Sequence, residues 1–455
     1  MVVVGHSALL VVSWPESGTL VVGNLLSSVP ALAVLTWLFQ VIPLFFIAGG
    51  AANALSWSTA SQLGVGYPTW LWARLRRLYR PVLAYLAVMC LIATLCTLTL
   101  GPASDPLLAL ACQMLWFLGI YVVTTALLPV MMRIPAAWRV APFVIGMAWV
   151  AAVEWGVQRL GWPAELELGN FIVVWLVVQQ LGLSWNASPG SRRWLMAGLS
   201  CLGAAALLVI WGPWPVSLVG VPGEEVSNMA PPSLVLLLYG LGIGCLLLWL
   251  RPWLARVLCR PRIWTVAAVM SGSAMTVYLW HVPAIGASVT VLHLLGHPPP
   301  TFVDSRGIPA PMPDGLYGLW WFVCLALALI VLALLVLVLG RSERRPLRWW
   351  DTPTRVGPLP RARASWLVAI GAALMSLGTL ALSIVGLAGF PTSVFAWNGV
   401  PLSSPAAILI VLAGAALARS ASSVCSTPPR RVSTGSNGLM EPTPPSPEVT
   451  EQSSS

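Results

Sequence analysis

The chain has 455 residues, 58% of them hydrophobic and only 8% charged, with a mean hydropathy of +0.85. A soluble chain of this size would carry about 25% charged residues, so a soluble globular fold is excluded and a polytopic membrane protein is indicated. The net charge of +10 comes from arginine alone, with no lysine, and in a membrane chain it reports topology and not affinity for nucleic acid. The eight cysteines are scattered, mostly in apolar runs, without a C-x-x-C or a His/Cys metal spacing. They read as small hydrophobes, and neither a metal site nor a bound cofactor is expected.

Residues 1–13 are apolar but too few for a span, which needs about 20 residues. A signal peptide would open on a basic stretch, and a histidine would not interrupt its apolar run. The segment therefore reads as the outer part of a first helix, followed by a polar loop over 14–30 that holds Glu16 and no basic residue. Spans follow at 31–57, 81–100, 107–132, 140–160, 168–185, 194–211, 232–250, 263–287, 316–339 and 365–390, with a marginal one at 401–418. The fold class is all-α: a polytopic helix bundle of about 10–12 transmembrane helices, apolar all round as hydrocarbon demands.

Arginines test this layout. All but Arg159 and Arg306 fall on alternate connections, so the positive-inside bias puts those connections in the cytoplasm. The same bias puts the N-terminus and the C-terminal tail there, and it requires the last apolar stretch to cross. The outer loops carry Glu165, Glu167, Glu224, Glu225, Asp304 and Asp314 and are too short to be domains. The chain then divides into a transmembrane domain over 1–340, a basic loop over 341–364, further spans over 365–418 and a Ser/Pro/Thr-rich disordered tail over 419–455.

The most informative stretch runs from Pro43 to Pro81. It opens as an apolar helix whose small residues, Gly49 and Gly50 among them, admit a neighbouring helix or a ligand close to the backbone. Asn53, Ser56 and Ser58 put polar groups near its end, and a loop with Arg74, Arg76, Arg77 and Arg80 follows. Topology alone accounts for a basic loop. Its density among Tyr67, Trp70, Trp72 and Tyr79 also suits phosphate recognition by arginine forks, as in a nucleotide-bearing thioester such as coenzyme A, or binding of anionic lipid.

Ionisable groups inside a membrane are costly and usually face a cavity or a partner. Three qualify: His6, Glu154 and His281. His6 can act as a general base on a hydroxyl, or sit neutral and hydrogen-bonded to another helix. His281 stands two residues before Pro283, where its ring can serve backbone carbonyls; beside Tyr278 and Trp280 it also suits a pocket wall. Glu154 reads as an interhelical or surface pair at the outer rim. His293 and His297 lie in an outer proline-rich loop without a third ligand.

Taken in order, GHS on the first helix, PLFFIAGGAANALSW, RLRRLYRP, LWFLGIYVVTTALLPV, LGNFIVVWLVVQQLGLSW and MTVYLWHVP resemble the acyltransferase 3 family of integral membrane proteins, in particular its actinobacterial branch. The resemblance covers residues 1–340. It implies a helix bundle that moves an acyl group, often acetyl, from acyl-CoA to a hydroxyl of a carbohydrate, lipid or cell-envelope polymer. It further implies His6 as general base and Arg74, Arg76, Arg77 and Arg80 as holders of the donor phosphates. Gly49, Gly50, Asn53, Tyr278, Trp280 and His281 are then candidates for lining the cavity, and acyl-CoA, the acceptor and membrane lipids are the partners, in a multi-pass protein of the cell membrane. The family's FF-x-x-(S/G)-G pattern matches Phe45–Gly50, whereas the arginine that members usually carry about ten residues ahead of the histidine has no counterpart here, since only five residues precede His6; a late start or a damaged copy would each account for that. Two rival readings stand beside this one: a transporter or flippase for an envelope lipid or polymer unit, and an inactive family member.

Overall fold

The computed structural model describes residues 1–14, 20–344, 348–351, 360–397 and 399–422. The tail beyond 422 and much of the basic stretch after 344 lie outside them. The chain is an all-α bundle, with ten helical runs among the described residues long and apolar enough to cross a membrane. One of these runs, Tyr67–Met131, turns back on itself. It comprises α5 (Tyr67–Leu100), a 3-10 turn, α6 (Asp105–Ala111) and α7 (Leu115–Met131). The Tyr67 hydroxyl at the start of α5 donates to the Ala126 carbonyl near the end of α7, and the Tyr85 hydroxyl donates to that of Ala111, so the two limbs run antiparallel.

The N-terminal segment departs from expectation. Helix α1 (Val2–Leu9) is short, and Leu10–Ser13 form strand β1, paired antiparallel with β2 (Val21–Asn24). The loop expected over 14–30 thus contains a strand and a helical turn, α2 (Leu25–Ser28). The span expected over 31–57 is also interrupted. A 3-10 turn, α3 (Thr36–Phe39), and a break at Gln40 precede α4 (Ile42–Gln62). In a bilayer the freed carbonyls at such a break need partners. The Tyr239 hydroxyl serves those of Trp37 and Gln40. The break between α6 and α7 is served in the same way, with the Tyr278 hydroxyl on the Met114 carbonyl.

Helices α8 (Ala141–Leu160), α9 (Asn170–Gly182), α10 (Arg192–Trp211), α11 (Leu234–Leu258) and α12 (Pro261–Leu294) follow as the apolar runs predict. A hairpin of β3 (Thr301–Val303) and β4 (Pro309–Pro311) then leads to α13 (Leu316–Arg344). The hairpin covers the first strand, the Thr301 hydroxyl donating to the Val12 carbonyl. The Ile308 N–H, followed by the Arg306 side chain and backbone, holds the Asp304 carboxyl below its ordinary range. These hairpins and the loop around Val216–Pro222 close one end of the bundle, through Trp37 to Val216 and Gln40 to Leu218. The arginines of α5 lie at the other end.

The basic stretch after 340 is not simply a loop, because α13 continues to Arg344 and α14 (Arg348–Asp351) forms one further turn. Helix α15 (Arg361–Val385) and α16 (Ser404–Ser422), joined through strands β5 (Val394–Trp397) and β6 (Val400–Ser403), pack as a hairpin against α5 and α7. Val368, Met375, Leu382 and Val411 share one buried cluster with Tyr79, Leu118 and Leu128.

Candidate functional site

The arginine run is helical and not a loop, since α5 continues through Pro81 to Leu100. Helical spacing splits the four side chains. Arg76 and Arg80 lie one turn apart on one face, and Arg74 and Arg77 share another. Arg76 and Arg80 both meet the Asp351 carboxylate, at 3.3 and 2.5 Å, and Arg76 also donates to the Asp351 carbonyl at 3.1 Å. Arg74 turns toward α4 and donates to the Ser56 hydroxyl, which also receives the Trp70 indole N–H at 3.1 Å. Arg77 is exposed. The four residues expected to act together are thus divided into two pairs with different neighbours.

The small residues of α4 meet a helix and not a cavity. A Cβ on Gly50 would strike the backbone carbonyl of Gln179 in α9, and one on Gly49 would strike the Tyr121 ring of α7. Asn53 is likewise committed, its amide donating to the Tyr121 hydroxyl and to Thr125, each at 3.2 Å. All three are helix-contact residues, Gly50 against the backbone of α9 and Gly49 and Asn53 against the Tyr121 side chain of α7. Glu154 is buried on α8 and accepts the Leu234 N–H at 2.9 Å, capping the start of α11. That is an interhelical role, as the sequence suggested. His293 stacks on Trp14 with ring centroids 4.0 Å apart, away from any arginine of α5.

His6 and His281 come together. His6 Nδ1 stands 2.8 Å from His281 Nε2, and the ring centroids are 4.9 Å apart. His281 is 1% exposed, and its Nδ1 lies 2.8 Å from the Tyr278 carbonyl and 3.2 Å from that of Val277. Carbonyls only accept, so Nδ1 of His281 carries the proton. With both rings neutral, His281 Nε2 then accepts from the Nδ1–H of His6, and the lone pair of the pair is left on His6 Nε2. His281 therefore serves the backbone, though at the Val277 and Tyr278 carbonyls and not at the Leu279 carbonyl that Pro283 frees, and it also contacts a second imidazole. Sequence reasoning had not paired them, and no local signal could have done so.

A line of contacts connects the two regions. Trp280 packs edge-on against Tyr85 of α5, centroids 5.0 Å apart. Tyr278 meets Phe117 at 5.6 Å, and Phe117 stacks on Tyr121 at 5.9 Å, whose hydroxyl takes the Asn53 amide. Along α5 the rise from Arg74 to Tyr85 is about 16 Å. The imidazole pair therefore sits well inside the bundle, on the order of 16 Å above the first arginine.

Residues 1–339 match the profile of the acyltransferase 3 family, described as an acyltransferase domain. The chain belongs to the acyltransferase 3 family. Neither a curated protein nor a solved structure matches it. Membership makes it a multi-pass membrane acyltransferase in general terms, and the match ends at 339, just ahead of Asp351 and the α15–α16 hairpin.

Proposed function

We propose that this acyltransferase 3 protein transfers an acyl group from cytosolic acyl-CoA to a hydroxyl of a carbohydrate, lipid or cell-envelope acceptor, with His6 as general base. The observation that carries this reading is the His6–His281 pair, which leaves an unprotonated Nε2 on His6. A base needs that free lone pair and a fixed ring, and the second imidazole supports both. In the reaction His6 Nε2 takes the acceptor's hydroxyl proton as the oxygen attacks the thioester carbonyl carbon. The C–S bond breaks, and the departing CoA thiolate receives the proton from the imidazolium. While charged, His6 donates its Nδ1–H to His281 Nε2.

The donor's phosphates belong, in this reading, at the arginine end of α5, where guanidinium forks suit bidentate contacts. An acyl-pantetheine arm extended from there has to climb on the order of 16 Å to reach the level of the imidazoles, by the rise of α5. Direct transfer, without a covalent acyl-enzyme, uses only residues already placed.

The test is the full-length protein in nanodiscs, given acyl-CoA and envelope extract, with free thiol and acylated product both measured. His6→Ala is expected to reduce both by about 10²–10⁴-fold, the scale of general-base catalysis. Normal thiol release and normal product from that variant would remove His6 as base. Transport of an unmodified envelope unit without any thiol release would favour a transporter.

A further inference from the structure

We propose that Asp351 is a built-in competitor for the donor's phosphates, one that holds Arg76 and Arg80 until an acyl-CoA displaces it. The proposal rests on the donor reading of the arginine cluster. Its own basis is the contact between a segment beyond the family domain and one face of α5. Asp351 is anchored, because the neighbouring Trp350 is 4% exposed, donates its indole N–H to the Arg76 carbonyl at 3.0 Å, and packs on Trp72 with centroids 5.2 Å apart. The carboxylate, 13% exposed, is delivered to both guanidinium groups by this buried tryptophan.

Chemistry decides what such a carboxylate does to an anionic ligand. A phosphate reaching Arg76 or Arg80 seeks the same N–H donors that Asp351 occupies, and it brings more acceptor oxygens and more charge. The donor therefore wins the exchange, but at reduced affinity. Arg77, exposed, and Arg74, on the adjoining face, stay outside the Asp351 contact and receive the phosphates first. The affinity of this chain for its donor is thereby set by a residue outside the 1–339 match.

The experiment measures binding of free coenzyme A to the full chain in nanodiscs, for wild type, Asp351→Asn, the triple variant Asp351→Asn/Arg76→Gln/Arg80→Gln, and Arg74→Gln/Arg77→Gln. Asp351→Asn is expected to bind about three- to tenfold tighter, the scale of one partly buried ion pair. That gain should vanish in the triple variant, because it comes through Arg76 and Arg80. Trp350→Phe, which loses the anchoring hydrogen bond, should shift affinity in the same direction and covers the case in which Asp351→Asn does not fold. Equal or weaker binding by Asp351→Asn and Trp350→Phe would overturn the proposal and make Asp351 a brace. If affinity still falls in Arg74→Gln/Arg77→Gln, the donor reading survives that result. Coenzyme A that binds none of the proteins removes the donor reading, and the competition with it.

Discussion

His6 and His281 lie 275 positions apart, and neither carries in its own neighbourhood any mark of the other. Sequence could show only that each was an ionisable group in an apolar run, which left His6 equally a base or a hydrogen-bonded neutral ring and favoured a backbone role for His281. The pairing assigns different tasks to the two rings. His281, fixed by the Tyr278 carbonyl, presents one acceptor to His6, and in the proposed reaction it is a positioning residue for that base. Its loss frees the His6 ring to rotate or to take the other tautomer, in which Nε2 is protonated and useless as a base. His281→Ala is therefore expected to lower kcat by about 10²–10⁴-fold, as mis-set tautomers do elsewhere, with the KM for acyl-CoA near wild type. His281→Gln, whose amide oxygen can accept from His6, should recover part of the rate. Initial rates over a range of acyl-CoA concentrations separate the cases, since a raised KM with unchanged kcat would put His281 in the donor's pocket wall instead.

Among elements, α4 shows how close packing replaces a cavity. Its face of Gly49 and Gly50 admits α7 and α9 to van der Waals contact, and Phe46 stacks on Trp175 of α9 at 4.6 Å. A methyl group on Gly50 has no flexible neighbour to displace, because a backbone carbonyl blocks it. Gly50→Ala should cost about 1–3 kcal/mol, seen as a lower unfolding temperature in detergent. Gly203→Ala on α10, where a Cβ meets nothing within 4 Å, should leave that temperature unchanged or raise it slightly. The small-residue face was legible in the sequence; its occupant was not, because glycine accommodates a helix and a ligand equally well. Long apolar runs located α8 to α13, since hydrocarbon thickness and backbone satisfaction leave only a helix, although α11, α12 and α13 run five to eight residues past their expected ends. Leu10–Ser13 misled for the converse reason: three apolar residues and a serine are as compatible with a helix as with the strand they form beside β2. The arginine run was read as a loop because Pro81 and the charge density both suggest an end. The chain instead continues as helix, with guanidinium groups reaching out from the buried stem.

At the level of the whole molecule, the boundary near 340 that the resemblance suggested is not a boundary in the packing. The Tyr79 hydroxyl of α5 donates to the Met375 carbonyl at 3.1 Å and pairs with the Thr379 hydroxyl at 2.7 Å. The Ser376 hydroxyl donates to the Gly119 carbonyl at 2.9 Å, and Asp105 accepts the Gly389 N–H at 2.8 Å. The α15–α16 hairpin thus gives partners to the Tyr79 hydroxyl of α5 and the Asp105 carboxylate of α6, and an unpartnered polar group is costly in hydrocarbon. It also supplies part of the largest buried cluster, through Val368, Ala372, Met375 and Leu382. A chain cut after residue 340 would keep every residue the family profile matches, yet leave Tyr79, Asp105 and the Gly119 face uncovered. Such a truncation is expected to lose the single symmetric peak of the full chain on size-exclusion chromatography and to unfold at a markedly lower temperature. A truncated protein that stayed monodisperse with an unchanged unfolding temperature would show that the hairpin is an appendage. The cut also removes Asp351, so its effect on coenzyme A could not be assigned to that carboxylate, and the point variant has to carry that question. On the proposed competition, stability and donor affinity depend on the same C-terminal segment, the first through the buried face of α15 and the second through one turn of helix beside Arg76.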